Sequence, residues 1–268
     1  MNSIFLLTML GYAIFLFVSV EAFRKWHRFS LVFFVMLLVT FPIWANGIEG
    51  WFRWAKYLSV FIPVVVLGLS RVAVKDNKQG KFWSIFKSNG CLKFFYCIIF
   101  LNILEATLKD IALGNYFNAG AGAILCATLP FAPRYWHVSN KEKGLLFAYT
   151  TWFWAFLYTT WNACFVYAES PLYFAGSLTI LSVAFFYPIL KGRSELYIHA
   201  RVYTLAIHLL LRASYDFFPR LMDATSWNHP DVLKWWGFFN ALIGIPYLVW
   251  HFIQIKNGTS DVKFGLTR

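Results

Sequence analysis

Charge is what this sequence has least of. Only 13% of its 268 residues are Asp, Glu, Lys or Arg, and only 12 are acidic. Soluble domains carry about 25% charged residues. A chain that is 59% hydrophobic and 21% aromatic therefore lacks the polar surface that a water-soluble domain needs. Cysteine is scarce too. Cys91, Cys97, Cys126 and Cys164 form no CxxC and stand near no histidine at metal-ligand spacing. They read as packed thiols, so no metal site, cofactor or disulfide is expected. Short catalytic signatures are missing: no GxSxG, no HExxH, no Walker A loop, no GxGxxG after a strand. The six histidines form no HxxxH, which argues against a membrane hydrolase with a histidine-bound metal. The last apolar segment has no central lysine for a retinal Schiff base. The first has no basic n-region before it and no small-residue cleavage site after it, so it reads as a retained helix and not a signal peptide.

What is present is apolar length. Mean hydropathy is +0.57. Nine apolar segments can be placed, at about 4–20, 31–44, 57–69, 94–113, 116–133, 145–167, 172–190, 199–217 and 233–255. A spanning helix needs about 20 residues to cross roughly 30 Å. Most segments reach that length; the second and third are short unless their aromatic ends are counted. The fifth, rich in Gly and Ala, also suits a re-entrant hairpin. The expected fold is all-α: one integral-membrane domain over residues 1–268, a bundle of about nine spanning helices.

The net charge of +12 would ordinarily suggest nucleic acid, but its distribution says otherwise. Arg24, Lys25 and Arg28 follow the first segment. Six lysines and arginines from Arg71 to Lys93 follow the third, Arg134, Lys141 and Lys143 the fifth, and Lys191 and Arg193 the seventh. Every second loop is basic, as membrane insertion requires. The expected partner is thus a lipid bilayer and not nucleic acid. The N-terminus is expected outside, with a cytoplasmic loop at about 70–92 and a cytoplasmic tail at about 256–268. This alternation favours a full span for the fifth segment. The stretch KFWSIFK at 81–87 is amphipathic and suits the membrane surface. The sequon-like NGT at 257–259 falls in the expected cytoplasmic tail. Pro42, Pro63, Pro130, Pro188 and Pro246 fall inside apolar segments or near their ends and are expected to kink helices without ending them.

Polar residues inside these segments are expensive, at least a few kcal/mol for a charge, and usually face protein or water. The fourth segment carries LNILEATLKD at 101–110, where Asn102, Glu105 and Lys109 share a face and Asp110 follows. Glu105 and Lys109 can pair at i, i+4. The sixth segment brings Tyr158, Trp161 and Asn162 to similar depth. The eighth brings His208, Arg212 and Asp216, spaced i, i+4, i+8, and Arg212 could pair with Asp216 or reach Glu105. The bland readings are a self-neutralised Glu105–Lys109 pair, helix-to-helix amide bonds and a structural Arg212 ion pair. The informative pattern is that these groups cluster in the outer leaflet, while the inner half holds only His199, Arg201 and His251 near its edge.

The segments LNILEATLKD, NYFNAGAGA and YTTWNACFVY, with the nearby Pro171, resemble a bacterial multi-pass membrane family of unknown function. That resemblance implies a bacterial plasma membrane and no particular activity. The expected function is an outward-facing, aromatic-walled pocket that binds or transports a small polar or zwitterionic solute. Asn102, Glu105, Asp110, Trp161, Asn162, His208, Arg212 and Asp216 would contribute to it. One alternative is an enzyme acting on a lipid headgroup, with Glu105 or His208 as general base. A second is an assembly subunit in which the charges only fix helix pairing.

Overall fold

In lipid each apolar run must satisfy its own backbone hydrogen bonds, and a helix does so within one segment. The computed structural model describes residues 3–259, and these are all-α apart from one short hairpin. In order come α1 (Ser3–Lys25), α2 (His27–Val39), α3 (Phe41–Ala45), α4 (Trp51–Lys75), α5 (Lys81–Lys87), α6 (Asn89–Ala112) and α7 (Tyr116–Thr128). The strands β1 (Trp136–Val138) and β2 (Leu146–Ala148) follow, then α8 (Trp152–Glu169), α9 (Phe174–Leu190), α10 (Tyr197–Ser214), α11 (Phe217–Leu221) and α12 (Pro230–Lys256). Among the described residues five helical stretches are long and apolar enough to cross a membrane: Ile4–Lys25, Arg53–Lys75, Asn89–Ala112, Pro171–Leu190 and Pro230–Lys256. Of the expected tail at about 256–268, residues 260–268 lie outside the described part.

The outer faces explain the composition. Leu7, Leu10, Ile14 and Val18 of α1 are exposed, as are Leu242, Ile245, Val249 and Phe252 of α12. Apolar surface on this scale marks contact with lipid or another apolar phase. With the five long helices it makes the chain a membrane protein. Helices α9 and α10 are mostly covered and form the middle of the bundle, with Trp154 and Trp161 of α8 and Tyr197 and Tyr203 of α10 among the fully buried rings.

Successive passes alternate between two ends. At one end the guanidinium of Arg71, fully buried near the end of α4, donates to Phe23 O (2.6 Å), Arg24 O (3.0 Å), Lys143 O (3.2 Å) and Tyr203 Oη (2.9 Å). Its planar fork closes free carbonyls at the end of α1 and binds them to the hairpin and to α10. Asp76 sits at the same end, where His27 Nε2 (2.9 Å) and Arg28 Nε (2.8 Å) meet its carboxylate. Burial pushes that carboxyl up, but the hydrogen bonds from Arg28 and His27 prevail and hold it below the usual carboxylate range. Lys191 pairs with Glu21, and Arg193 with Glu142 and Glu195. At the opposite end the Phe5 ring packs at a tilt against Trp227, with centroids 5.3 Å apart, Tyr167 Oη donates to Trp227 O, and the Arg212 guanidinium lies 3.6 Å over the Tyr173 ring. Tyr247, late in α12, meets Thr151 before α8. The start of α1 and the end of α12 thus lie at opposite ends.

Local chemistry moved several expected boundaries. The 145–167 segment is not one helix: Leu146–Ala148 pairs antiparallel with Trp136–Val138. Gly144 makes the turn possible, because at φ +68° a Cβ there would stand 2.6 Å from Arg71 O. The helix then starts at Trp152, where the Trp154 N–H donates to the Oγ1 of the N-cap Thr151 at 3.0 Å. The sequence YTTW occurs twice, at 149–152 and 158–161, and only the second copy lies wholly within α8. Ser88 caps α6 in the same way, through Cys91 N–H. Helices continue through Pro63, Pro188 and Pro246, but Pro42 sits in the first turn of α3 and α7 ends just before Pro130, so these two mark helix ends and not kinks. The fifth segment is helical only over Tyr116–Thr128, 13 residues or about 20 Å, and the chain then descends irregularly past Pro130 and Pro133 into β1.

Candidate functional site: an interhelical cavity with polar groups in its wall

A cavity of about 230 Å³ lies between α4, α6, α8, α9 and α10. From α4 it is lined by Arg53, Lys56, Tyr57, Ser59 and Pro63, and from α6 by Phe95, Ile98, Asn102 and Glu105. Helix α8 contributes Tyr158, Asn162, Phe165 and Glu169. Tyr173 and, from α9, Ser177 and Ile180 follow, and α10 contributes Ile198, Arg201, Leu205, His208 and Arg212. Arg53 and Glu169 are exposed, so the cavity meets the surface at the end away from Arg71.

Of the residues singled out from sequence, Asn102, Glu105, Asn162, His208 and Arg212 line this one cavity. Glu105 accepts from Lys56 Nζ at 2.7 Å. This salt bridge joins α6 to α4, and no Glu105–Arg212 ion pair accompanies it among the described contacts. Asn102 Oδ1 accepts from Ser59 Oγ at 3.1 Å while its amide donates to Ile98 O at 2.9 Å. Arg212 faces the Tyr173 ring, a cation–π contact. His208 shares a hydrogen bond of 3.2 Å with Tyr12 Oη, and its ring lies against Phe218. Its Nε2 is buried with no hydrogen-bond partner.

Asp110, Trp161 and Asp216 are placed elsewhere. Asp110 is fully buried, with Oδ1 accepting from Asn115 Nδ2 (3.0 Å) and Oδ2 from Asn118 Nδ2 (2.7 Å). Asn118 Oδ1 accepts from Asn240 Nδ2 (2.8 Å), and Asn240 Oδ1 accepts from Thr160 Oγ1 (3.0 Å), which also takes the Trp236 indole N–H (2.7 Å). This chain of bonds ties α6, α7, α8 and α12 together and leaves the Asp110 carboxylate fully engaged. Trp161 is fully buried behind the cavity wall. Gly122 of α7 approaches it so closely that a Cβ would lie 2.8 Å from Trp161 Nε1 and overlap Thr107 Oγ1. Asp216 is exposed beside Arg220. Helix α10 ends at Ser214 and Tyr215 is extended (φ −149°, ψ 146°), so the i+8 phase that would align Asp216 with His208 is broken.

Arg201 is the lining residue that the sequence pattern did not single out. One face of α10 carries Arg201, His208 and Arg212 at i, i+7 and i+11. The i, i+4 spacing of His208 and Arg212 was visible, but Arg201 stands almost two turns below, where segment ends are normally read as interfacial. Lys56, beside the aromatic cluster at 51–57, is a second such residue, because a lysine next to interfacial rings carries no signal of a buried partner.

Fold and site together define the class: an all-α membrane protein with a largely apolar cavity inside the bundle that holds a few polar groups. No protein-family model, no curated protein and no solved structure matches the chain. What the cavity holds must be argued from its chemistry.

Proposed function

We propose that the chain crosses the plasma membrane of a bacterium nine times, with the Arg71 end in the cytoplasm, and that its cavity binds or carries a small polar solute entering from the outer side. The observation that carries this reading is the meeting of Asn102, Glu105, Asn162, His208 and Arg212, from three separate helices, around one space that reaches the surface beside Arg53 and Glu169. Polar groups this deep in a bundle cost free energy unless protein, water or a ligand faces them. The amphipathic α5, which exposes Phe82 and Ile85, suits the inner membrane surface on this reading. An aromatic and apolar wall with few convergent polar groups is the usual form of a small-molecule site.

The test is thiol accessibility in a cysteine-free background. Ser59→Cys and Ser177→Cys probe the cavity, Phe186→Cys the apolar exterior, and Lys141→Cys the hairpin end. In intact cells a membrane-impermeant maleimide should label the two cavity positions. Lys141→Cys should label only after permeabilisation, and Phe186→Cys should stay unlabelled. Labelling of the cavity positions solely from the Lys141 side, or from neither side, would overturn the reading.

A further inference from the structure

Arg201 is only 7% exposed, lines the cavity, and has its Nε and Nη1 buried with no hydrogen-bond partner. A guanidinium cannot shed its charge, and burial of a charge without a counter-ion is costly. The surrounding groups sharpen the point. The cavity wall holds four cationic side chains, Arg53, Lys56, Arg201 and Arg212, and two carboxylates, Glu105 and Glu169. Glu105 is taken by Lys56, and Glu169 is exposed at the mouth and bonded to Ser170. Neither carboxylate neutralises Arg201. The two buried acids among the described residues are engaged elsewhere, Asp110 by Asn115 and Asn118 and Glu195 by Arg193.

Geometry adds a direction. Arg201 and Arg212 lie on one face of α10, about 16 Å apart at 1.5 Å rise per residue. Arg212 is at the mouth and Arg201 at the blind end, where Leu67, Phe95, Leu146 and Ile198 make the wall apolar. We propose that Arg201 is the anchor of an anion site: the cavity takes an elongated organic anion whose carboxylate or phosphate meets Arg201, with an apolar body along α4, α6 and α10. This rests on the cavity being a binding site and narrows its solute from polar or zwitterionic to anionic. The fork of an arginine matches either oxyanion in bidentate fashion. The anion comes either from a soluble metabolite-sized acid or from a lipid-like amphiphile.

The experiment is direct binding to the full chain in nanodiscs. Radiolabelled decanoate is the probe, with decyl phosphate, inorganic phosphate, decanol and decyltrimethylammonium as competitors. Saturable decanoate binding should be displaced by decyl phosphate and not by decanol or decyltrimethylammonium. Arg201→Gln should weaken it at least about tenfold, the loss expected for one charge-assisted bond. Arg201→Lys should recover part of it, and exposed Arg220→Gln should leave it unchanged. Displacement by inorganic phosphate at comparable concentration assigns the site to a soluble anion, and its failure to compete assigns it to an amphiphile; both support the anchor. Equal displacement by decanol or decyltrimethylammonium in the wild type overturns it, even if Arg201→Gln does not fold. So does unchanged binding in a folded Arg201→Gln. Absence of any binding while Ser59→Cys and Ser177→Cys label normally overturns the anion site and spares the cavity. Absence of both overturns the cavity itself.

Discussion

The Asn240 amide donates to Asn118 Oδ1 at 2.8 Å, so the tight contact between α7 and α12 is held by a side-chain bond and not by apolar packing alone. Between helices in lipid there is little hydrophobic drive, and small residues with polar bridges take its place. Asn118 has the larger role, because its amide also donates to Asp110 Oδ2 and to Trp161 O. Asn118→Ala is expected to destabilise the protein in detergent more than Asn240→Ala, by about 1–3 kcal/mol against about 1, with a correspondingly larger drop in thermal midpoint. The double variant should cost less than the sum. Equal and additive effects would show that the network is not coupled.

The small residues of α7 lead to a second prediction. Gly122 packs on Thr107 and Trp161 with no room for a methyl group. Gly122→Ala is expected to destabilise by about 1–3 kcal/mol through overpacking. Thr107→Ala removes the oxygen that a Cβ would strike, so the pair Gly122→Ala with Thr107→Ala should recover part of the loss. Thermal unfolding of the four proteins measures this, and no recovery would place the strain at Trp161.

Opposite signs are expected from the two halves of the Lys56–Glu105 salt bridge. Glu105→Gln frees an ammonium into the cavity and should tighten decanoate binding about threefold at low salt. Lys56→Gln frees a carboxylate and should weaken it by a similar factor. Both shifts should shrink as ionic strength rises. Shifts of the same sign in titrations would mean that the pair acts on shape and not on charge.

Acid stability should report on Asp76. Its folded carboxyl lies below the usual range, so its contribution is present above the unfolded value near 3.9 and is lost as pH falls through the folded value. Asp76→Asn is expected to lower the midpoint at pH 7 and to reduce the loss of stability on going from about pH 5 to pH 3. Midpoints measured across that range decide the matter. An unchanged acid slope would remove His27 and Arg28 as the cause.

Some of this was legible along the chain. Runs of apolar residues close to bilayer length, basic charge in alternate loops and the stripe His208–Arg212 are periodic or compositional, and periodicity survives in one dimension. The helical part of 145–167 was partly misread because its opening residues are as apolar as a spanning helix. The turn at Gly144 and the cap at Thr151 depend on contacts with Arg71 and with the first turn of α8.

By itself the sequence determined that the chain is helical and suited to lipid, because low charge and long apolar runs leave the backbone no other way to satisfy itself there. The tertiary structure decided which polar groups meet. Asp110 and Glu105 are close in sequence and chemically alike, yet one is bound by Asn115 and Asn118 and the other faces a cavity beside Lys56. Arg201 is one arginine among many in the sequence. Only the folding of α4, α6 and α9 around α10 leaves its guanidinium buried and unpaired at the end of a cavity, since partner and solvent access belong to neighbours distant in the chain.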